Sequence, residues 1–96
     1  MIDTLAPSDD AAFLNVTWQA GGQSALPADM LRRAARDAWT RRQVIDHGEV
    51  RVKDGIRITG VYPVGAFGVN VHFSDGHEKA IYPFPYLREL SERIDK

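Results

Sequence analysis

Short stretches in which apolar and polar residues alternate are the first pattern in this chain. Leu14, Val16 and Trp18 alternate with polar neighbours, and the pair Gly21-Gly22 follows them. A period of two residues places every second side chain on the same face of a strand, and adjacent glycines favour a turn. We therefore expect a first strand with one buried face, and two further short strands on either side of an Asp54-Gly55 turn.

Residues 67–82 carry the clearest hairpin pattern. Phe67, Val69, Val71 and Phe73 lie on one face of the first predicted strand. Ser74-Asp75-Gly76 follows them and favours a turn. If the glycine of this turn takes the left-handed position of a three-residue loop, Val69 lies opposite Ile81 and His72 lies opposite Glu78. This register places apolar pairs on one face of the hairpin and polar pairs on the other.

Helical periodicity occurs in two places. Pro27 suits the first turn of a helix, and an alanine-rich run continues from there. The apolar stripe of this run comprises Met30, Leu31, Ala34, Ala35 and Ala38, and the second periodic set comprises Tyr86, Leu87, Leu90 and Ile94. The chain is thus predicted to be α+β, with a mostly antiparallel sheet, one helix near residues 28–42 and a C-terminal helix near residues 85–94.

Tyr82, Phe84 and Tyr86 cluster around the two prolines that end the last strand. Either they form an exposed aromatic patch for a partner, or they pin the last helix to the sheet. We favour packing, because a tyrosine can bury its ring and still keep its hydroxyl hydrated.

The first residues of the chain lack any periodicity. Pro7, Ser8, Asp9 and Asp10 are residue types that favour turns and loops. We expect residues 1–11 to form a flexible leader and residues 12–96 to form a single domain, because 96 residues rarely make two.

Composition excludes several classes of protein. Hydrophobic residues make up 44% and charged residues 26%, as in globular proteins, so neither disorder nor a membrane span is expected. The N-terminus lacks the basic start and apolar stretch of a secretory signal, so we expect a cytoplasmic protein. The absence of cysteine excludes disulfides, thiol catalysis and thiolate metal ligands. The net charge of −1 argues against a surface built for nucleic acid.

One basic segment could still contact a nucleic-acid strand. It contains Trp39 together with Arg32, Arg33, Arg36, Arg41 and Arg42. Phosphate contacts and stacking would suit such a set. However, Asp29, Arg33, Asp37 and Arg41 alternate in sign at a spacing of four, which is typical of a solvated helix face. We favour the solvated face over nucleic-acid binding.

Ser74, Asp75 and His77 bring a hydroxyl, a carboxylate and an imidazole close together in the sequence. A nucleophile and its base must meet within hydrogen-bond reach, with a third group behind the base. The spacing here instead suits a tight turn. We therefore expect no enzyme activity from this chain.

Several short motifs follow one another in a specific order. They are Trp18 at the end of the first strand, Leu26-Pro27, Leu31-Arg32, Val64-Gly65, Ser74-Asp75-Gly76-His77, Ile81-Tyr82 and Leu87-Arg88-Glu89-Leu90. From about Leu14 to Leu90 this order resembles the gamma-butyrobetaine hydroxylase-like N-terminal domain family, once catalogued as a domain of unknown function.

In the hydroxylases that carry such a domain, three cysteines and one histidine hold a structural zinc. The positions in this sequence that the resemblance assigns to them are Ala35, Asp37, Thr40 and His77. Structural zinc has four ligands as a rule, so we expect no tight zinc site and no cofactor. In this the chain resembles the stand-alone bacterial members. His77 is expected to bond the helix directly, without a metal between them.

The resemblance also implies a function without catalysis. In the hydroxylases, iron and 2-oxoglutarate bind a second, larger domain that this sequence does not contain. Similar domains are fused to Mrp-type P-loop ATPases that handle iron–sulfur clusters, which implies an adaptor role around cluster assembly. The glycines of this chain lack the Gly-Lys-Ser/Thr ending of a phosphate loop.

We therefore expect a non-catalytic protein-interaction or adaptor domain whose partner is a protein, with an Mrp-type P-loop ATPase as the candidate. The candidate interaction surface comprises Arg32, Arg36, Trp39, Ser74, Asp75 and His77. The alternative is a small-molecule or metal-sensing domain that retains a degenerate ancestral zinc site at Asp37 and His77.

Overall fold

The computed structural model describes residues 2–50 and 52–94. In these residues the chain forms two antiparallel three-stranded sheets and three helices, so the α+β class is confirmed. The elements in chain order are β1 (Ile2–Pro7), β2 (Phe13–Trp18), β3 (Gln23–Pro27), α1 (Ala28–Arg33), α2 (Ala38–His47), β4 (Ile58–Val64), β5 (Gly68–Phe73), β6 (Ala80–Pro83) and α3 (Phe84–Ile94). None of the helices in the described part of the chain is long and apolar enough to span a membrane.

The first sheet has the strand order β1-β2-β3. Leu14, Val16 and Trp18 of β2 are buried, as their alternation predicts. The expectation of a flexible leader at residues 1–11 is corrected from Ile2 onward, because β1 pairs with β2 from Ile2 opposite Trp18 to Pro7 opposite Leu14; Met1 lies outside the described residues. β1 is an edge strand with no fully buried residue, so its apolar alternation is too weak to identify it in the sequence.

The second sheet has the order β4-β5-β6, and its hairpin register differs from the prediction by one residue. Next to the turn, the Phe73 N–H donates to the His77 carbonyl at 3.0 Å. Further along, Val71 pairs with Ala80 and Val69 with Tyr82 instead of Ile81. One additional residue between His77 and Ala80 therefore bulges the returning strand and turns Tyr82 into the core.

The two sheets share one core with α1 and α3, which corrects the expectation of one mostly antiparallel sheet. The largest fully buried side chains are Leu14, Leu26, Leu31, Phe73, Tyr82, Leu87 and Leu90. Of the two strands predicted around Asp54-Gly55, the first is wrong at the described residues Val50 and Val52, which lie in no strand, and the second begins at Ile58. The C-terminal helix is confirmed, one residue longer than predicted at its start.

The helix predicted near residues 28–42 is in fact two helices. α1 ends at Arg33, and α2 begins at Ala38. The Tyr82 hydroxyl donates to the Leu31 carbonyl, and the Tyr86 hydroxyl donates to the Ala34 carbonyl at 2.6 Å. These bonds occupy carbonyls that a continuous helix would use, so the chain can turn between the two helices. They also confirm that the tyrosines pack in the core.

Candidate functional site

Five polar side chains from three separate parts of the fold form a closed hydrogen-bonded set, the Arg32 network. Its members are Arg32 from α1, Asp37 and Thr40 from the start of α2, and Asp75 and His77 from the turn between β5 and β6. The network therefore fixes the position of both short helices relative to the second sheet.

Arg32 is the buried cation of this network, and its side chain is 3% exposed. Its Nε donates to Asp75 Oδ2 at 3.0 Å, and its Nη1 donates to Thr40 Oγ1 at 2.8 Å. A buried guanidinium is costly unless its charge is balanced and its N–H groups are bonded. Asp75 supplies the charge, and Thr40 accepts a second hydrogen bond.

Asp37 caps α2 and joins it to the turn. Its Oδ2 accepts from the Thr40 N–H at 3.1 Å, and its Oδ1 accepts from the Thr40 hydroxyl at 2.8 Å. The same Oδ1 lies 2.9 Å from His77 Nε2, which donates to it. Burial by itself would raise the pKa of Asp37, but these hydrogen bonds from Thr40 and His77 lower it below its usual value of 3.8.

The backbone of the turn closes the network. The His77 N–H donates to Asp75 Oδ1 at 2.9 Å, so one carboxylate bonds both Arg32 and the His77 backbone. Ser74 is held elsewhere, because its Oγ accepts from the Arg57 N–H at 2.9 Å. The Ser74, Asp75 and His77 side chains are thus arranged as a turn requires, and the imidazole of His77 is directed at Asp37.

The four positions that resemble a zinc site are only partly brought together. Asp37, Thr40 and His77 meet in the network, whereas Ala35 is buried in the hydrophobic core. The donor set does not fit structural zinc, because Asp37 and His77 supply two ligands and the Arg32 guanidinium already places a cation beside Thr40. Among residues 2–50 and 52–94, no three His, Cys, Asp or Glu side chains cluster closely enough to hold a metal ion.

Of the predicted interaction surface, Arg32, Asp75 and His77 belong to the network and Ser74 bonds Arg57. Arg36 is exposed, but its guanidinium carbon lies 3.6 Å from the centre of the Tyr86 ring. Trp39 remains available, with 60% of its surface exposed. Of the six residues, it is therefore the one best placed to contact a partner.

Trp39 also borders a groove between α2 and the turn that follows β5. The groove has a volume of about 460 Å³ and is lined by Arg32, Trp39, Gln43, Asp75, Gly76, His77, Glu78 and Lys79. Sequence reasoning missed Gln43 and Lys79, and it also missed the exposure of Val44 and Ile45 on α2. Trp39 and Gln43 have the spacing of one helix face, which indicates that the helix continues past residue 42. The helix predicted near residues 28–42 ends just before Gln43, so this face is not included in it.

Comparison with known proteins gives a family and a fold. The family model described as gamma-butyrobetaine hydroxylase-like, N-terminal, matches residues 6–88. No curated protein shows a significant match.

Solved structures resemble the chain over almost its whole length. The crystal structure of a protein of unknown function from Acidithiobacillus ferrooxidans ATCC 23270, which belongs to the DUF971 family, is 29% identical, with a TM-score of 0.73 over 94% of this chain and 91% of that one. A protein structure solved in solution by NMR is 25% identical, with a TM-score of 0.75 over 97% of this chain and 70% of that one. A second NMR structure, 24% identical with a TM-score of 0.73 over 99% of this chain and 75% of that one, shares the fold. The DUF971 family and the matched family are the same.

Proposed function

Given that this chain belongs to the gamma-butyrobetaine hydroxylase-like N-terminal family, we propose that it is a non-catalytic protein-interaction domain, an adaptor that binds a partner protein in the cytoplasm. One observation carries this proposal. The guanidinium, carboxylate and imidazole groups that suit catalysis or metal binding hydrogen-bond one another within the Arg32 network. Trp39 beside them is exposed. Tryptophan is enriched among the residues that anchor protein interfaces.

The test is an affinity purification of the tagged protein from its own cells, with mass spectrometry of the bound proteins and metal analysis of the purified chain. We expect a specific partner that the Trp39→Ala variant loses. The matched control is Phe67→Ala, because Phe67 is an exposed aromatic residue, 78% exposed against 60% for Trp39, and it precedes β5 at the end away from the network. No specific partner, together with stoichiometric bound metal, would overturn the proposal.

For the identity of the partner we propose an Mrp-type P-loop ATPase that acts in iron–sulfur cluster assembly. Its support is the fusion of similar domains to such ATPases, together with a chain that has no phosphate loop of its own. In the same purification, enrichment of this ATPase or of cluster-assembly proteins supports the assignment. A specific partner from an unrelated process contradicts the assignment and leaves the adaptor proposal standing.

A second candidate is a small-molecule or metal-sensing domain, favoured by the groove that passes His77 and Trp39. A groove of this size can admit a small ligand. Titration of the labelled protein with zinc or iron(II) would then shift the NMR signals of Asp37 and His77. Unchanged signals at millimolar metal would remove the metal-sensing form of this candidate.

A further inference from the structure

The sequence contains two Asp-Gly pairs, Asp54-Gly55 and Asp75-Gly76, and both lie in turns. Glycine has no β-carbon, so the nitrogen that follows the aspartate is open to close approach by its side chain. An aspartate before glycine can therefore close a five-membered ring with that nitrogen, provided that the carboxyl group is free to turn towards it. The two pairs share this chemistry, so their surroundings decide which of them reacts.

The Arg32 network holds Asp75 by both of its carboxylate oxygens. Asp75 Oδ2 accepts from Arg32 Nε at 3.0 Å, and Oδ1 accepts from the His77 N–H at 2.9 Å. The attacking nitrogen is held as well, because the Gly76 N–H donates to the Phe73 carbonyl at 3.1 Å. Ring closure at this pair has to break these hydrogen bonds, one of which balances a buried guanidinium.

Asp54 lies in an open turn whose residues Lys53, Asp54 and Gly55 are all exposed. The Ile56 N–H donates to the Lys53 carbonyl at 3.2 Å, and Arg57 Nη1 donates to the Gly55 carbonyl at 2.9 Å. Neither bond involves the Asp54 side chain. No group of residues 2–50 or 52–94 forms a hydrogen bond or ion pair with the Asp54 carboxylate, so it is free to turn towards the next nitrogen.

We infer that Asp54 is a site of spontaneous isoaspartate formation in the folded protein and that the Arg32 network protects Asp75 from the same reaction. The Gly55 nitrogen bonds to Cγ of Asp54, and the carboxyl OH and the Gly55 amide proton leave as water. Water then adds to one of the two carbonyl carbons of the ring and breaks its bond to the nitrogen. Opening at the backbone carbonyl leaves the chain joined through the side chain, as isoaspartate. The water lost in the first step is regained in the second, so the reaction needs no other reagent.

The two turns differ in what isomerisation would do to the domain. At Asp54 it lengthens the backbone of an exposed turn by one methylene group and keeps the negative charge, so the fold persists. At Asp75 it would displace the carboxylate that balances the buried Arg32 and that accepts from the His77 N–H. The network thus protects the Asp-Gly pair on which the packing of the turn depends.

Ageing of the purified full chain tests the inference. The protein is kept for several weeks at neutral pH and physiological temperature, and its peptides are then analysed by electron-transfer dissociation mass spectrometry, which distinguishes isoaspartate from aspartate. We expect isoaspartate to form at least about tenfold faster at Asp54 than at Asp75, because Asp75 must first lose its hydrogen bonds. In a parallel sample unfolded in urea, the two positions should react at similar rates, which shows that the fold and not the neighbouring residues causes the difference.

Two variants complete the test. Asp54→Glu keeps the charge but would have to close a larger, six-membered ring, so the modified peptide should disappear. Arg32→Lys should raise the rate at Asp75 at least about threefold, since a lysine cannot reproduce the forked hydrogen bonds to Asp75 and Thr40. The same variant should leave the rate at Asp54 unchanged. If Arg32→Lys does not fold, the comparison of folded and urea-unfolded wild type still decides.

The contrary outcomes are distinct. Isoaspartate that forms at Asp54 in urea but not in the folded protein would show that the turn itself prevents ring closure, and the site would be removed. Equal rates at Asp54 and Asp75 in the folded protein would remove the protection by the network. A folded Arg32→Lys variant in which Asp75 reacts as slowly as in wild type would assign that protection to the backbone of the turn instead of Arg32.

Discussion

Arg32 and its sequence neighbour Arg33 carry the same charge but differ in burial and in the pairs they form. Its side chain is buried and bonds Asp75 and Thr40. Arg33, the next residue, makes an ion pair with Asp29 in which both side chains are more than half exposed. Removing one partner of a buried pair leaves the other uncompensated, whereas an exposed pair can be replaced by water.

We expect Arg32→Met to lower the free energy of unfolding by about 2 to 4 kcal/mol, since Asp75 and Thr40 lose their shared partner. Arg33→Met is the control and should cost less than about 0.5 kcal/mol. Urea unfolding followed by tryptophan fluorescence measures both. Equal losses in the two variants would show that the network adds nothing to stability beyond a surface ion pair.

The pH dependence of stability should report the ionised state of Asp37. Its pKa in the folded protein lies below its usual value of 3.8, because hydrogen bonds from Thr40 and His77 outweigh the effect of burial. A lowered carboxyl pKa stabilises the fold above the unfolded-state pKa, and this contribution is lost as the pH falls through the folded-state pKa. The stability difference between wild type and Asp37→Asn should be constant above about pH 5 and shrink below about pH 4.

Asp54→Asn, in an exposed turn, controls for the loss of one negative charge. Urea midpoints measured from pH 3 to pH 7 test the expectation. A difference that grows as the pH falls would mean that the neutral acid is the form that the fold prefers.

Ala11 is the one non-glycine residue with a positive φ in the described part of the chain, at 60°. Its N–H donates to the Ser8 carbonyl at 2.8 Å, and its carbonyl accepts from the Ile58 N–H at 2.8 Å, so the conformation is held from both sides. A left-handed conformation costs an alanine roughly 1 to 2 kcal/mol, whereas glycine adopts it freely.

Ala11→Gly should therefore raise stability by about 0.5 to 1 kcal/mol, because relief of strain exceeds the added entropy of the unfolded chain. Ala25→Gly is the control on β3, where glycine removes no strain and should lower stability by about 0.5 to 1 kcal/mol. Thermal unfolding of the two variants compares them. A loss of stability in both would show that Ala11 is not strained.

At the scale of elements, local sequence patterns predict the helices and strands but not their interruptions. The alanine-rich run after Pro27 is continuous in the sequence, yet the fold divides it at residues 34–37. The hydroxyl of Tyr86, 52 positions away, bonds the Ala34 carbonyl at this break. Such a contact depends on the completed tertiary structure, so helical periodicity cannot reveal it.

The sequence likewise predicts some residues of the candidate site but not the contacts between them. The resemblance to a zinc site brings Asp37, Thr40 and His77 to attention, and the structure places all three in one network. The resemblance also singles out Arg32 through the Leu31-Arg32 motif, but helical periodicity does not show that Arg32 is buried while the arginines near it are exposed, or that it pairs with Asp75, 43 positions away. Burial, which decides its role, is a property of the assembled fold.

The unequal packing of the helices leads to a prediction for the free protein. α3 buries Tyr86, Leu87, Leu90 and Ser91, whereas α2 buries Thr40 alone. Amide hydrogen exchange should therefore be at least roughly 100-fold faster for residues 44–47 than for residues 87–91, since exchange reports local opening. Equal protection in both helices would show that α2 is stable without a partner.

At the scale of the whole molecule, two small sheets become one domain because neither can bury its apolar face alone. Three strands with an open apolar face need a second layer. The buried cluster joins Leu14 and Val16 of the first sheet, Val71 and Phe73 of the second, and Leu87 of α3. Alternation in the sequence predicts most of these strands but does not show which of them pair. A single sheet is therefore the simplest interpretation of the sequence.

A shared core predicts that the two sheets unfold together. Leu14→Ala in the first sheet should lower stability by about 2 to 5 kcal/mol, because it leaves a cavity in the core that the two sheets share. In a Trp39→Phe background, fluorescence of the buried Trp18 reports the first sheet, while NMR signals of Val69 and Val71 report the second. If both sets of signals move to the same lower urea midpoint in the Leu14→Ala variant, the domain is one cooperative unit. Separate midpoints, with the second sheet unaffected, would mean that the two sheets are independently stable, and the Arg32 network would then stabilise the second sheet without the first.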